Sequence, residues 1–367
     1  MGTDRYDVIV VGAGIAGLTA AAAVASCNLK VALVATGPGS FVSGPGWLNA
    51  QGILQASAEP GLQEAIAFFC EMARLAGCQF AGDISAARFL PSLLGDFHSV
   101  SLAPLSLWNS GPRDGVATAI AGVRGLSCFD ENFIAQRLTE QARKLSFNCT
   151  YTARQISFSR EMGIPVTTLR IAQCFDRDPD FRAELIEALQ KAATGFARIL
   201  VPGMLGLESS SEQVAQFESE VGCPVGEIPT LPPSIPGLRV FHRLERHLHN
   251  IGVELYRGFP VETVEMHDDV CTGMTIASPG RAMNLRCDCA VMATGRRSAS
   301  LLGEKFAGLD PQLHPVTSSG AVIALNVFVA GSVVQSGDGD SGNVSHILTG
   351  YRAGNLAAST RGNHAAR

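Results

Sequence analysis

Three glycines, Gly12, Gly14 and Gly17, stand at the spacing of a phosphate-binding turn in the run Gly12-Ala13-Gly14-Ile15-Ala16-Gly17. The first lets the backbone turn sharply out of a strand, the second lets a pyrophosphate come close to the main chain, and the third lets a helix touch the sheet. The free N–H groups at the start of that helix then face the phosphate. The pattern by itself is common, so its setting decides. Tyr6 to Val11 is a short β-branched run that reads as a strand buried on both faces. Leu18 to Ala25 is built of small residues with high helix propensity, and Lys30 to Ala35 is a second apolar strand. A strand, turn, helix and strand within about 30 residues make a dinucleotide-binding unit. Ala13 and Ala16, inside the turn, join the glycines as expected cofactor contacts.

A dinucleotide site usually adds an acid at the end of the second strand, for the adenosine ribose. That place falls on Ala35-Thr36-Gly37, where Thr36 offers a single hydroxyl, so the nucleotide stays open between a dinucleotide and a mononucleotide. Two later strands, ending at Thr294-Gly295 and Gly331-Ser332, stop at small residues. Ligands of open α/β sheets bind at such carboxyl ends, so these turns are expected to converge with the first on one cleft. No local motif supplies a proton-accepting base, and no catalytic residue is assigned. His242, His247 and His249 are spaced five and two apart, not as an i, i+4 ligand pair, and they read with Leu244 and Leu248 as an amphipathic helix, so no metal is expected. Arg170 and Arg239 read as ordinary ion-pair or surface residues, and Trp47 is given no role. Cys287 and Cys289 alternate along a strand and face opposite ways, which disfavours a disulfide between them.

The elements that hold these residues lie at both ends of the chain. Residues 1–58 and 286–367 are expected to form one discontinuous nucleotide-binding domain, and residues 59–285 an inserted cap, substrate or partner-binding region. In that insertion, helices are expected at Leu62 to Ala76, Asn132 to Leu145, Phe181 to Ala193, Ser211 to Val221 and Leu238 to Ile251. Val261 to Glu265 and Thr272 to Ile276 suggest a hairpin about Asp268-Asp269. Ser345 to Ala358 reads as a helix with Gly350 and Gly354 on one face, and the residues from Ser359 read as frayed. With 28 Lys and Arg against 33 Asp and Glu, there is no basic excess to hold nucleic acid. At 46% apolar and 17% charged residues the 367-residue chain is expected to fold around large cores, and no apolar run is long enough for a direct membrane span. The N-terminus lacks a signal peptide's basic start, so a cytoplasmic protein with reduced thiols is expected.

The opening turn together with the Ala-Thr-Gly and Ala-Gly strand ends resembles flavoproteins of the glutathione-reductase type. The resemblance implies an α/β, Rossmann-like FAD/NAD(P)-binding fold with a long inserted cap or substrate domain. It runs further, through Ser43-Gly44-Pro45-Gly46, Val166 to Arg170 with Phe175-Asp176, Leu200 to Gly206, and above all Glu227-Ile228-Pro229-Thr230-Leu231-Pro232-Pro233-Ser234-Ile235-Pro236-Gly237-Leu238-Arg239. On these motifs the chain is similar to the B subunits of anaerobic glycerol-3-phosphate dehydrogenases. The resemblance implies one flavin, FMN or FAD, with Ser43 and Gly44 added to its contacts. It implies a larger flavin dehydrogenase subunit and an iron–sulfur, membrane-associated subunit as partners. The activity implied is a quinone-linked flavin-dependent oxidoreductase of anaerobic respiration, relaying electrons from glycerol 3-phosphate oxidation and reaching the inner face of the membrane only through its partners. Two alternatives stay beside it: a self-sufficient flavin dehydrogenase or reductase of another small molecule, and a flavin-poor interaction subunit, suggested by two departures, Thr36 in place of the ribose acid and Ser332 where the glutathione-reductase type often has an Asp after the glycine.

Overall fold

The computed structural model describes residues 4–50, 60–159, 165–303, 305–334 and 342–365. By their internal contacts these fall into two units, one of residues 1–40, 52–72 and 244–367, the other of residues 41–51 and 73–243.

The first unit grows from β1 (Asp4–Val11), α1 (Ile15–Ala25) and β2 (Val31–Ala35). Val8, Ile9 and Val10 are fully buried, as a strand covered on both faces requires. Its seven-stranded sheet takes in five later strands: β7 (Glu254–Arg257), β8 (Val261–His267), β9 (Val270–Ser278), β10 (Arg281–Met292) and β11 (Val327–Val329). The order is β7-β2-β1-β10-β9-β8, with β11 beside the end of β10. β1 lies parallel to β2 and β10, in the register Val11 to Val34 and Val11 to Met292. β8 and β9 form the expected hairpin, turning on Asp268 and Asp269 at φ 48° and 60°, the left-handed pair of a tight hairpin turn. The last helix of the chain, α8 (Gly342–Ala365), packs beside α1. It does not fray at Ser359, because Arg361 pairs with Asp7 at 2.9 Å and with Asp288, which anchors the final turns to the sheet. Strands β7 to β9 belong to this sheet, so the boundary between the units falls between Arg243 and Leu244, earlier in the chain than the 285/286 limit expected from sequence.

The second unit is built on a parallel sheet that periodicity does not announce. Its strands β3 (Ala117–Val123), β4 (Thr150–Ile156), β5 (Arg198–Pro202) and β6 (Val225–Ile228) lie in the order β6-β5-β3-β4. The connecting helices are α3 (Glu131–Lys144), then α4 (Thr168–Arg177) with α5 (Pro179–Ala192), and α6 (Ser211–Val221). Asp130 caps α3 by accepting from the amides of Asn132 and Phe133, and Ser210 with Gln213 makes a capping box on α6. Ile120, Leu200, Phe175, Phe181 and Phe217 fill the core. The remaining long helices are α2 (Leu62–Leu75) and α7 (Ile235–Asn250). The five expected helices of the middle region are present, with ends shifted by at most a few residues. The α/β, Rossmann-like class inferred from the resemblance is the one observed.

Candidate cofactor site

The glycine turn is held by its surroundings. Gly12 has φ +110°, its amide donates to the carbonyl of Val34 at 2.8 Å, and a Cβ there would lie 2.4 Å from the carbonyl oxygen of Ala293. Only a residue without a side chain tolerates both the angle and that approach. Gly17 is as constrained, since a Cβ would stand 1.8 Å from the oxygen of Gly12. Gly14 is the opposite case: a Cβ built on it meets nothing within 4 Å. It is the N-cap of α1, and no side chain caps the helix and no acid stands in its first turn. The start of α1 therefore offers uncapped amide donors and a positive helix end beside open space, the arrangement a phosphate takes.

Two further strand ends meet this turn. Beyond β10, the amide of Ala293 donates to Val11, and the chain turns through Thr294 and Gly295, where φ is +60°. Beyond β11, the amide of Gly331 donates to the hydroxyl of Thr349 of α8 at 3.0 Å, and a Cβ on Gly331 would touch the methyl of Ala16 at 3.5 Å. The hydroxyl of Ser332 is the nearest atom to a Cβ on Gly295, at 2.8 Å, and Thr294 shares a hydrogen bond with Ser298. Gly12, Ala13, Gly14, Ala16, Gly17, Thr294, Gly295, Gly331 and Ser332 thus gather at one end of the first sheet. Thr36 stands exposed at the end of neighbouring β2, and the loop beyond it returns so that a Cβ on Gly39 would lie 2.9 Å from the Cα of Gly14.

Ser43 and Gly44 fall in the second unit. There the segment packs on the Pro-rich motif: Ser234 donates its amide to Val42, and a Cβ on Gly237 would lie 2.2 Å from the carbonyl of Gly44. Trp47 packs beside Leu90, Val100, Ala103 and Leu107. Arg170 is an exposed residue of α4, whereas Arg239 is buried and grips Glu227 through both terminal nitrogens. Burial alone would raise the Glu227 carboxyl, but the Arg239 charge, with hydrogen bonds from Arg239, Ser106 and the Leu205 amide, holds it below the ordinary value. Glu227 also accepts from the amide of Met204, and Arg239 donates to the carbonyl of Gly206, so the Leu200 to Gly206 and Glu227 to Arg239 motifs meet on one ion pair. The acid and the base stand twelve residues apart, without a periodic pattern to link them. Cys287 and Cys271 approach to 4.0 Å between sulfurs, and the neighbouring thiol, together with burial, raises Cys287.

The residues fit a flavin dinucleotide: the open cradle at Gly14, the uncapped helix start and the convergence of three strand ends each suit a phosphate-linked ribityl chain. When bound, the flavin would supply a redox-active ring for taking up and passing on electrons. Among the described residues no helix is long and apolar enough to cross a membrane.

The sequence family described as FAD binding domain matches residues 7–252. The B subunit of an anaerobic glycerol-3-phosphate dehydrogenase from Pectobacterium carotovorum subsp. carotovorum is 29% identical over 281 residues, covering 68% of this chain and 65% of that protein. This chain therefore spans less than two thirds of that relative's length. The B subunit of the same kind of enzyme from Yersinia pestis is 24% identical over 326 residues, covering 79% of this chain and 74% of its own. Among solved structures, THI4 of Thermovibrio ammonificans aligns over 99% of this chain and 91% of its own, with 10% identity and a TM-score of 0.37. Of the two flavins expected, FAD is the one the matched family carries. The chain belongs to the FAD-binding domain family, the fold of flavin-dependent oxidoreductases.

Proposed function

We propose that this chain is the flavoprotein subunit of a quinone-linked anaerobic glycerol-3-phosphate dehydrogenase. The reading rests on one observation above the others: the strand ends at Gly12–Gly14, Thr294-Gly295 and Gly331-Ser332 gather about an uncapped helix start in a chain of the FAD-binding domain family. The likeness to the B subunits supports the substrate and the assembly. In this reading Gly12, Ala13, Gly14, Ala16 and Gly17 hold the FAD diphosphate. Thr36 takes the place of the usual ribose acid, and Thr294, Gly295, Gly331 and Ser332 flank the ribityl chain. Ser43 and Gly44 are assigned as contacts on the likeness alone. The first unit carries the flavin, and the second serves as the cap or as the face for partners.

No local motif marks a base for removing the hydroxyl proton of glycerol 3-phosphate, so we assign this chain electron relay. The oxidation to dihydroxyacetone phosphate then belongs to the larger flavin subunit, and the electrons pass toward an iron–sulfur subunit at the inner face of the membrane. The protein's own residues bind and orient the cofactor.

The test is an absorbance spectrum of the purified chain, with heat release and mass identification of the cofactor, followed by reconstitution with the two partner subunits. FAD in the chain, and a quinone reductase activity with glycerol 3-phosphate that appears only in the assembled complex, is the expected result. Rapid oxidation of glycerol 3-phosphate by this chain alone, with an artificial acceptor, would overturn the relay assignment. A colourless folded chain that still binds the partners would point to the flavin-poor alternative instead.

A further inference from the structure

Cys271 of β9 and Cys287 of β10 are brought together by an irregularity in the first sheet. Gly273 stands opposite Glu265 of β8, but Cys271 stands opposite Met266, so β9 carries one extra residue, Thr272, at a β-bulge. The ladder between β9 and β10 ends at the pair Gly273 and Arg286. In an unbroken strand Cys271 would share the face of Gly273, and Cys287 would lie on the other. The bulge swings Cys271 across, and the two sulfurs meet at 4.0 Å. Asn326 fixes this arrangement. Its side-chain oxygen accepts from the amide of Cys271 at 2.8 Å, and its Nδ2 donates to the carbonyls of Cys271 and Asp288, each at 2.7 Å. The backbone that carries Cys271 is thereby tied to β10 by a side chain, just where the ladder has opened.

Both thiols are buried, Cys271 at 1% exposure and Cys287 at 6%. The S–H of Cys287 donates to the sulfur of Cys271, which holds Cys271 below the ordinary thiol value in spite of its burial, while Cys287 is raised. Cys271 therefore gives up its proton first, and the thiolate is the form that reacts. A disulfide has its sulfurs about 2.05 Å apart, so side-chain rotations that bring them about 2 Å closer complete the bond. The enclosure excludes bulky oxidants and leaves the neighbouring sulfur as the next nucleophile.

We propose that Cys271 and Cys287 form an oxidation site, a dithiol that a small hydroperoxide converts to an intramolecular disulfide. The Cys271 thiolate attacks a peroxide oxygen, the O–O bond breaks, and a sulfenic acid forms with release of water once the leaving hydroxide is protonated. The Cys287 sulfur then attacks the Cys271 sulfur, the S–O bond breaks, and the proton of Cys287 leaves with the second water. Two thiols and one hydrogen peroxide thus give one disulfide and two waters. The bond fastens β9 to β10 across the bulge and closes a loop of about 16 residues.

The experiment treats the folded wild-type chain with hydrogen peroxide, blocks the remaining thiols, and maps disulfide-linked peptides by mass spectrometry. Cys27, which is exposed, reports within the same sample that the oxidant has acted. A Cys271–Cys287 link is expected, formed about tenfold or more faster in the folded chain than in urea, and reversed by dithiothreitol. Oxidation should also raise the urea midpoint of the first unit's transition. In Cys287→Ser, which lacks the second nucleophile, the sulfenic acid of Cys271 should persist and be captured by dimedone as the protein is unfolded. Oxidised Cys27 beside free Cys271 and Cys287, or a link that forms as fast in urea as in the folded chain, would overturn the proposal.

Discussion

Glu227 and Arg239 meet as a two-pronged ion pair, Nη1 to Oε2 at 2.7 Å and Nη2 to Oε1 at 2.9 Å, in a part of the second unit where both side chains are shut away from solvent. The remaining capacity of the carboxylate is used as well, by the hydroxyl of Ser106 and the amides of Met204 and Leu205. The loop after β5 and the Pro-rich segment leading into α7 are thereby held at one point. A buried pair so fully satisfied keeps its geometry, and it is costly to break from one side.

Glu227→Gln keeps the shape and removes the charge, leaving Arg239 buried without a counter-ion. The expected loss of unfolding free energy is about 3–5 kcal/mol, read from urea denaturation of the second unit's transition. A loss below about 1 kcal/mol would mean that water reaches Arg239 in the variant.

The same pair sets a pH dependence with a definite sign. The folded pKa of Glu227 lies below its ordinary 4.5, so its stabilisation is fully present above the unfolded value and is lost as pH falls through the lowered folded value. Wild-type stability should therefore fall more steeply than that of Glu227→Gln between about pH 5 and pH 3. Parallel curves for the two proteins would contradict this.

Gly14 and Gly17 should separate binding from folding. Gly14→Val places its branch in space free of protein atoms within 4 Å of the Cβ, so the fold is expected to persist while FAD affinity drops about 100-fold or more. Gly17→Val instead drives its Cβ to 1.8 Å from the oxygen of Gly12 and should leave little soluble, folded protein. Circular dichroism with a flavin titration decides both. Full FAD content in Gly14→Val would defeat the phosphate site.

Thr36 occupies the place where a dinucleotide site usually has an acid, and it is exposed at the end of β2. If the adenosine ribose lies there, Thr36→Glu should tighten FAD by about fivefold, the value of one added hydrogen bond, and leave FMN unaffected. Equal effects on the two flavins would place the ribose elsewhere.

Local order in the amino-acid sequence was enough for much of the nucleotide fold. The spacing of Gly12, Gly14 and Gly17, the β-branched run before them and the small residues after them specify strand, turn and helix through contacts only a few residues apart. Asp268-Asp269 likewise marked its hairpin, because two residues at positive φ are a local demand. The parallel sheet of the second unit was not legible. Its strands are short and lack a clean alternation, and Arg198 and Glu227 sit inside them as charged residues that only distant partners make tolerable. The same reason hides the long reach of α8. Ser359 to Ala365 carry no helical signal of their own and are held by Arg361 on Asp7 and Asp288, both far away along the chain. Gly350 could be seen as a small residue on a helix, but that it rests on Ala16 depends on packing between the two ends of the chain. Spacing determines which turns exist; close packing over long sequence separations decides which of them share a site.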